Sequence, residues 1–450
     1  MSETMDGSAP LPRDLGDGLI LRRATVADAE ALSMFNARIH GNQESGEPDE
    51  KIGIWTRDLV ERPHPTYDVS DFTVVEDTTT GKIVSSLNLI SQTWSYGGIS
   101  FGVGRPELVG TDPAYRRKGL VRLQMEVIHG WSMERGEKVQ AITGIPYYYR
   151  QFGYEMALNL GGGRVGYGPD VPKLKEDEDE PYVVCQAKET DLPFIAERYE
   201  QGAQRYLVAC VRDEELWRYE LLGRSEQGVN TRLLRIIETR EGEPIGYLVH
   251  SPFLWGSTMA CTQYELKPGV SWFAVTPTVI RYLWKTGEEY AKRDDKEHGA
   301  FAFGLGAEHP VYQVAGRDRM PRVWTPYAWY IRVPDLPDFL RHIMPVLNQR
   351  LAESFAAAYS GELTLNFYRG GLRLRFDEGR LTEVEEWQPP FAEAGKAAFP
   401  RLTFLQLLFG YRALDELEYA FADCFTKDDE ARALLNLLFP KHASDVWPVS

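Results

Sequence analysis

The sequence predicts a mixed α+β protein in which one α+β domain occurs twice and a smaller α+β domain follows. Two observations carry this. The segments GLILRRATVADAEALSMFNARI and YVVCQAKETDLPFIAERYEQ each run from a strand through a polar turn into an amphipathic helix. Aligning Ala24 with Ala187 puts Asp28 on Asp191, an offset of 163 residues, the size of a domain. Beyond residue 335 a helical stretch gives way to an alternating strand pattern, a third kind of unit. At roughly 150 residues per domain, 450 residues suit about three. The expected divisions are a disordered leader over 1–17, a first domain over 18–168, a linker over 169–181, a second domain over 182–335 and the small domain over 336–450.

Each element has a local reason. Strand 19–24 runs into Thr25, a helix N-cap with Asp28 at the third helical position. Ala31, Leu32, Phe35 and Ile39 then recur at helical spacing. RPELVGT, residues 105–111, forms a strand that ends at Asp112-Pro113. After the loop AYRRKG, Leu120, Leu123, Val127 and Trp131 mark one face of a helix, and KVQAITGI is the next strand. Residues 161–181 are rich in Gly, Pro and charge, the composition of a surface connection. In the second domain, strand 182–186 precedes a helix with Leu192, Ile195 and Tyr199 on one face. WFAVTPTVIRYLWKTG, residues 272–287, stands where the offset puts the counterpart of the first domain's cationic loop, and reads as a strand and a proline turn at Pro277. In the third domain Phe339, Ile343, Leu347 and Leu351 line a helix. LTLNFYRGGLRLRFDEGRLTEVEE gives three antiparallel strands with turns at Gly370-Gly371 and Glu378-Gly379, and FLQLLFGY and ARALLNLLF give short buried helices.

Composition narrows the function. The chain holds 66 acidic against 50 basic residues, a net charge of −16. That argues against nucleic acid as a partner and favours attraction of cations. The four cysteines show no CxxC or metal-ligand spacing and the eight histidines do not cluster, so no metal is expected. No stretch approaches the roughly 18 apolar residues of a membrane span, and the polar N-terminus lacks an apolar signal core, which together predict a cytoplasmic protein.

One cluster runs against the acidic balance. Arg116, Arg117, Lys118 and Arg122 surround Gly119 where a strand gives way to a helix. A helix N-terminus has unpaired N–H groups and the positive end of the macrodipole, and a glycine lets the backbone approach a ligand. A pyrophosphate fits such a loop.

At these residues the chain resembles the GNAT superfamily of acyltransferases, whose pyrophosphate loop reads Gln or Arg, two residues, Gly, one residue, then Gly or Ala. Arg116 and Gly119 match, and Val121 departs at the last position. The resemblance implies acetyl-CoA as co-substrate. Val109, Gly110 and Thr111 would face its acetyl and pantetheine arm. Arg116, Arg117, Lys118, Gly119, Leu120, Val121 and Arg122 would take the phosphates, and Gly144 and Ile145 would flank pantetheine. In PYYYRQFGYEMA, Tyr149 stands in the family's register of a tyrosine followed by Gly153-Tyr154 and would be the acid that protonates the leaving thiolate; Tyr147 and Tyr148 compete for the role. The base is open, with His40, Glu44 and Glu47 near the acceptor side.

The DPAYRRKGL loop, the YxxxGY segment and the tandem organisation together resemble the Eis (enhanced intracellular survival) family. That resemblance implies a catalytic GNAT domain, a degenerate second copy, a C-terminal domain similar to sterol carrier proteins, and a hexamer. It implies N-acetylation of an aminoglycoside-like amine, with the C-terminal carboxylate, here on Ser450, as base. Protein lysine and polyamine acceptors are alternatives, and a lipid-binding role of the third domain is a reading of a different class.

Overall fold

The computed structural model describes residues 10–42, 44–390 and 395–447. Strands β1 (Arg13–Gly16) and β2 (Leu19–Arg23) form a hairpin across Asp17-Gly18. Both turn residues have positive φ, +52° and +76°, the requirement of a two-residue turn whose twist matches its strands. Residues 13–16 are therefore a strand, where the polar composition had suggested a disordered leader. The Asp-Gly pair is the local signal for it. Helix α1 (Ala29–His40) follows, its entry fixed by the Thr25 amide donating to the Asp28 carboxylate at 2.8 Å. Next come α2 (Glu50–Glu61), β3 (Phe72–Asp77), β4 (Lys82–Tyr96), β5 (Ile99–Thr111), α3 (Leu120–Glu134), β6 (Val139–Ile142), β7 (Glu155–Leu160) and β8 (Gly163–Tyr167).

The second copy contains β9 (Tyr182–Gln186), α4 (Leu192–Ala203), β10 (Val208–Val211), α5 (Glu214–Arg218), β11 (Leu233–Thr239), β12 (Pro244–His250), β13 (Thr258–Leu266), α6 (Trp272–Asp294), β14 (Ala300–Phe303), α7 (Val311–Arg319), β15 (Arg322–Trp324) and β16 (Tyr327–Arg332). Helices α1 and α4 differ by 163 residues at both ends. The entry bond recurs too, with the Lys188 amide donating to Asp191 at 2.7 Å. The expected strand and proline turn at 272–287 are instead the first turns of α6, with Pro277 inside the helix. Proline removes one intrahelical bond, the one to the Phe273 carbonyl, and Phe273 is exposed, so water can satisfy that oxygen.

The two copies exchange strands. In the first sheet β16 lies between β6 and β7, and in the second sheet β8 lies between β14 and β15. Trp329 pairs with Leu158 of β7 while Tyr330 pairs with Ile142 of β6. Reciprocally, Gly166 pairs with Phe301 and Val165 with Arg322. In addition β10 pairs with the far end of β4, Val208 opposite Tyr96. The division expected after residue 168 therefore moves to between β7 and β8, and β16 leaves the second domain for the first. The 169–181 segment is fastened rather than free: Glu180 pairs with Arg281 of α6 and accepts from Thr278 at 2.9 Å.

The third unit holds α8 (Leu336–His342), α9 (Met344–Ala352), the meander β17 (Gly361–Asn366), β18 (Gly371–Asp377) and β19 (Arg380–Trp387), then β20 (Ala397–Ala398), α10 (Arg401–Leu408), α11 (Leu414–Ala420), β21 (Phe425–Thr426) and α12 (Asp429–Leu438). Phe339, Ile343, Leu347 and Leu351 are all fully buried, although the helix they line breaks at Ile343 before Pro345. Phe404, Leu408, Leu434 and Leu438 are buried as well, so the apolar helices are committed to the core. That core is continuous with Trp94 and Trp329 of the first sheet. After α12 the chain returns along β10: the Leu207 amide donates to the Ala443 carbonyl at 2.8 Å and the Asp445 amide to Val208 at 3.0 Å. The Trp329 indole then donates to the Val446 carbonyl at 3.0 Å.

Trp329 thus joins the exchanged strand, the core and the C-terminal segment. Its replacement by Ala should cost about 3–5 kcal/mol, the range for truncating a buried large aromatic. Urea denaturation of the full chain measures this; a loss under 1 kcal/mol would mean that the exchanged strand is not held there.

Candidate active site

The site begins where two strands part. Parallel β5 and β6 pair only at Val103–Val139 and Gly104–Gln140. Beyond Gly104, β5 continues seven residues to Thr111 while β6 ends at Ile142. Among the described residues the backbone edge of β5 that faces the gap has no ladder partner there, and a buried backbone group needs one. Leu108 and Val109 together face Leu87 of β4, a β-bulge, and Leu108 has φ +52°. Bulges re-aim the backbone next to functional sites. The gap opens into a cavity of about 980 Å³.

The N-terminus of α3 closes one end of the cavity. Gly119 is its N-cap, with φ +76°, a conformation glycine adopts without strain. The first backbone bond of this turn runs from the Leu123 amide to the Gly119 carbonyl, leaving the amides of the preceding turn open toward an anion. Arg116, Arg117 and Lys118 are exposed and form no ion pair among the described residues, so their charge is available. Arg122 donates to Gln151 at 3.0 Å and lies over the Phe152 ring. A buried polar chain sets this helix against the sheet: Gln124 donates to Ser85 at 2.7 Å and accepts from Thr73 at 3.0 Å, and Ser85 bonds Thr111 at 2.8 Å.

Opposite β5, the segment after β6 carries the tyrosines. Tyr149 is buried; Tyr148 also lines the cavity, and Tyr147 is exposed and does not. The Tyr149 hydroxyl makes no hydrogen bond among the described residues. Burial raises its pKa above that of an ordinary phenol, and the nearby Glu107 adds to this, so it stands protonated at neutral pH. Gly144 is the point of closest approach: a Cβ there would fall 2.9 Å from the Tyr149 ring. The exchanged strand fixes this segment at two places. The Tyr327 hydroxyl donates to the Gly144 carbonyl, and the Tyr147 amide donates to the Tyr330 hydroxyl at 2.8 Å.

Of the residues expected from sequence, Val109, Gly110, Thr111, Arg116, Arg117, Gly119, Leu120, Val121, Arg122, Gly144, Ile145 and Tyr149 all line the cavity. Lys118 does not; its ammonium turns back over the Tyr115 ring at 5.7 Å. Ser450 lies outside the described residues. His40 lines the cavity, while Glu44 and Glu47 are exposed outside it. Burial lowers the His40 pKa, so its imidazole is neutral at pH 7, and its buried Nε2 has no hydrogen-bond partner among the described residues.

Sequence reasoning missed Glu107, Ile52, Trp55 and the loop residues Val229 and Asn230 of the second copy, all of which line the cavity. Glu107 could have been found, because Arg105 and Glu107 share one face of a strand and form a salt bridge. Burial raises the Glu107 pKa above that of an ordinary carboxylate, and Arg105 opposes the rise. The loop residues carry no local sign; they arrive because Ser225 bonds Asp58 of α2 at 2.6 Å and the Val229 amide donates to the Lys51 carbonyl at 3.2 Å.

The second copy's counterpart is closed. Strands β13 and β14 pair over four residue pairs, and beyond them Tyr206, Tyr264, His309 and Asp445 leave a space of about 30 Å³. The connection into α6 has one cation, Lys267, already paired with Glu243 at 2.9 Å. Among the described residues no group of three or more His, Cys, Asp or Glu side chains could hold a metal ion, and no helix is long and apolar enough to cross a membrane.

Residues 25–157 match the family model described as an acetyltransferase (GNAT) domain. The chain is an acyltransferase carrying that domain in its first half. Three solved structures share the fold over nearly the whole length. The GCN5-related N-acetyltransferase from Kribbella flavida is 18% identical, with a TM-score of 0.62 over 95% of this chain and 97% of that one. The GCN5-related N-acetyltransferase from Anabaena variabilis is 14% identical, with a TM-score of 0.63 over 95% and 99%. Eis1 from Mycobacterium abscessus is 12% identical, with a TM-score of 0.60 over 96% and 99%. Searched by sequence, no curated protein matches the chain.

Gly119→Val should strain the helix cap by about 1–2 kcal/mol. If relief of that strain moves the loop out of register, binding of CoA falls about 5- to 30-fold. Calorimetric titration with CoA checks this; unchanged affinity would remove the loop from the anion site.

Proposed function

We propose that the chain is an acetyl-CoA-dependent N-acetyltransferase of the Eis type. The observation that carries the reading is the parting of β5 and β6 between a cationic helix N-terminus and the Tyr149 phenol, all on one cavity. The three-part organisation shared in fold with Eis1 supports the family. Hexameric assembly and a sterol-carrier-like third domain are part of the same proposal.

In this reading the amides of the α3 N-terminus and the Arg116, Arg117 and Arg122 side chains bind the phosphates of the co-substrate. Acetyl-CoA supplies an acyl group on a good leaving sulfur. The unpaired backbone edge at Val109–Thr111 offers an N–H to the thioester oxygen as negative charge develops on it. The amine nitrogen forms the new C–N bond as the C–S bond breaks. Tyr149 gives its proton to the departing sulfur, and a base takes one from the nitrogen, so the products are an amide and a neutral thiol.

Two carboxylates are candidates for the base. Glu107 lines the cavity, and its raised pKa makes it a stronger base than an ordinary glutamate. The Ser450 carboxylate is the other. Four residues before Ser450 the Val446 carbonyl is held by Trp329, and the guanidinium of Arg105, the partner of Glu107, lies 4.7 Å over that indole.

Thiol release from acetyl-CoA with a panel of amines tests the reading. Tyr149→Phe should lower the rate on the order of 100-fold, the effect of losing one transition-state proton donor; an unaffected rate would discard Tyr149 as the acid. If Glu107 is the base, kcat/KM rises as the pH climbs through its raised pKa, because the deprotonated form is active, and Glu107→Gln loses this limb. Should the limb persist in Glu107→Gln and vanish when one residue is appended after Ser450, the base is the chain terminus.

A further inference from the structure

We infer that the acceptor is an amine carried on an apolar body, with one positive charge rather than several. The inference rests on the acetyltransferase reading above. One side of the cavity is apolar, lined by Ile39 of α1, Ile52 and Trp55 of α2, Leu108 of β5 and Val229 of the loop that the second copy lays against α2. Among the described lining residues Glu107 is the only carboxylate, and it is already paired with Arg105. The polar side chains on this side, His40 and Asn230, are neutral, so the further ammonium groups of an aminoglycoside or polyamine would meet no counter-charge along it, and burying an unpaired charge is strongly unfavourable. An aromatic or aliphatic body gains from the same contact.

The carboxylates nearby are placed differently. Glu44, Glu47 and Glu50 are exposed on the connection after α1 and at the start of α2, outside the lining. Asp49 is spent as the cap of α2, accepting from the Lys51 and Ile52 amides at 3.0 and 3.3 Å. Asp58 is held by Ser225 and Arg62. Exposed carboxylates on these two elements attract an ammonium group, and the apolar lining then receives the apolar group attached to it. The overall charge of −16 therefore acts on approach, and the wall acts on selection.

The test compares 2-phenylethylamine with spermidine and kanamycin as acceptors for the full chain, by thiol release from acetyl-CoA. Equilibrium binding of each amine is measured to the protein saturated with CoA. The expected result is a kcat/KM for 2-phenylethylamine at least 10-fold above either polycation, with the same order in binding. Ile52→Glu should shift the ratio toward spermidine by at least 10-fold, and Val229→Glu is the second variant should the first fail to fold. Affinity for acetyl-CoA is the folding control. Faster turnover of a polycation, or no binding of the apolar amine, overturns the inference. So does a rate that climbs with acyl length from acetyl- to octanoyl-CoA while amine apolarity has no effect, since the wall would then hold the donor's chain. Failure of acetyl-CoA itself to bind would sink the underlying acetyltransferase reading instead.

Discussion

The exchange of β8 and β16 is the constraint on which the rest of the molecule depends. Each sheet has a slot that its own half of the chain leaves open, and each slot is filled by a strand from the other half. An empty slot would leave two rows of backbone N–H and C=O groups unpaired in a buried place, a cost no local contact could offset. The first slot lies beside the parting of β5 and β6. Filling it with β16 does more than satisfy the ladder, because Tyr327 and Tyr330 of that strand hold the segment that carries Tyr149. The second copy thus has a structural part in the first copy's chemistry although its own counterpart site is closed.

The cavity combines two electrostatic regimes. At the α3 end, backbone dipoles and the exposed guanidinium groups of Arg116 and Arg117 make a place for negative charge in an acidic protein. Away from that end ionisable groups on three different elements shift toward their neutral forms: His40 of α1 downward, Glu107 of β5 and Tyr149 of the segment after β6 upward. All three shifts have desolvation as their largest cause. A site that keeps a phenol protonated and a carboxylate basic is suited to moving protons at near-neutral pH.

Much of this was legible in the sequence where the cause is local. The 163-residue offset is reproduced at both ends of α1 and α4, because the capping aspartates Asp28 and Asp191 are local signals. The cationic loop was legible for the same reason: strand, proline, glycine and amphipathic helix are adjacent in the chain. The exchange was not. GRVGY reads as linker because its partners, Phe301 and Arg322, are more than 130 residues away and nothing in its own composition names them. Residues 272–287 misled through their aromatic and β-branched content, which tertiary packing overrides in a long amphipathic helix. Lining residues such as Ile52 and Val229 are ordinary apolar residues in sequence, and only the packing of one copy on the other gives them a role.

Chain order adds a consequence for biosynthesis. When β7 leaves the ribosome, the first sheet still lacks β16, about 170 residues downstream. At some 5–20 residues per second this is a wait of roughly 10 to 35 s. During it β6 and β7 present unsatisfied edges, and β8, made early, has no sheet to join. The nascent chain therefore spends that interval as a partly folded species with open strand edges, the kind that chaperones hold and that neighbouring copies can invade. Domain-by-domain folding is closed to this protein, and both copies must complete together.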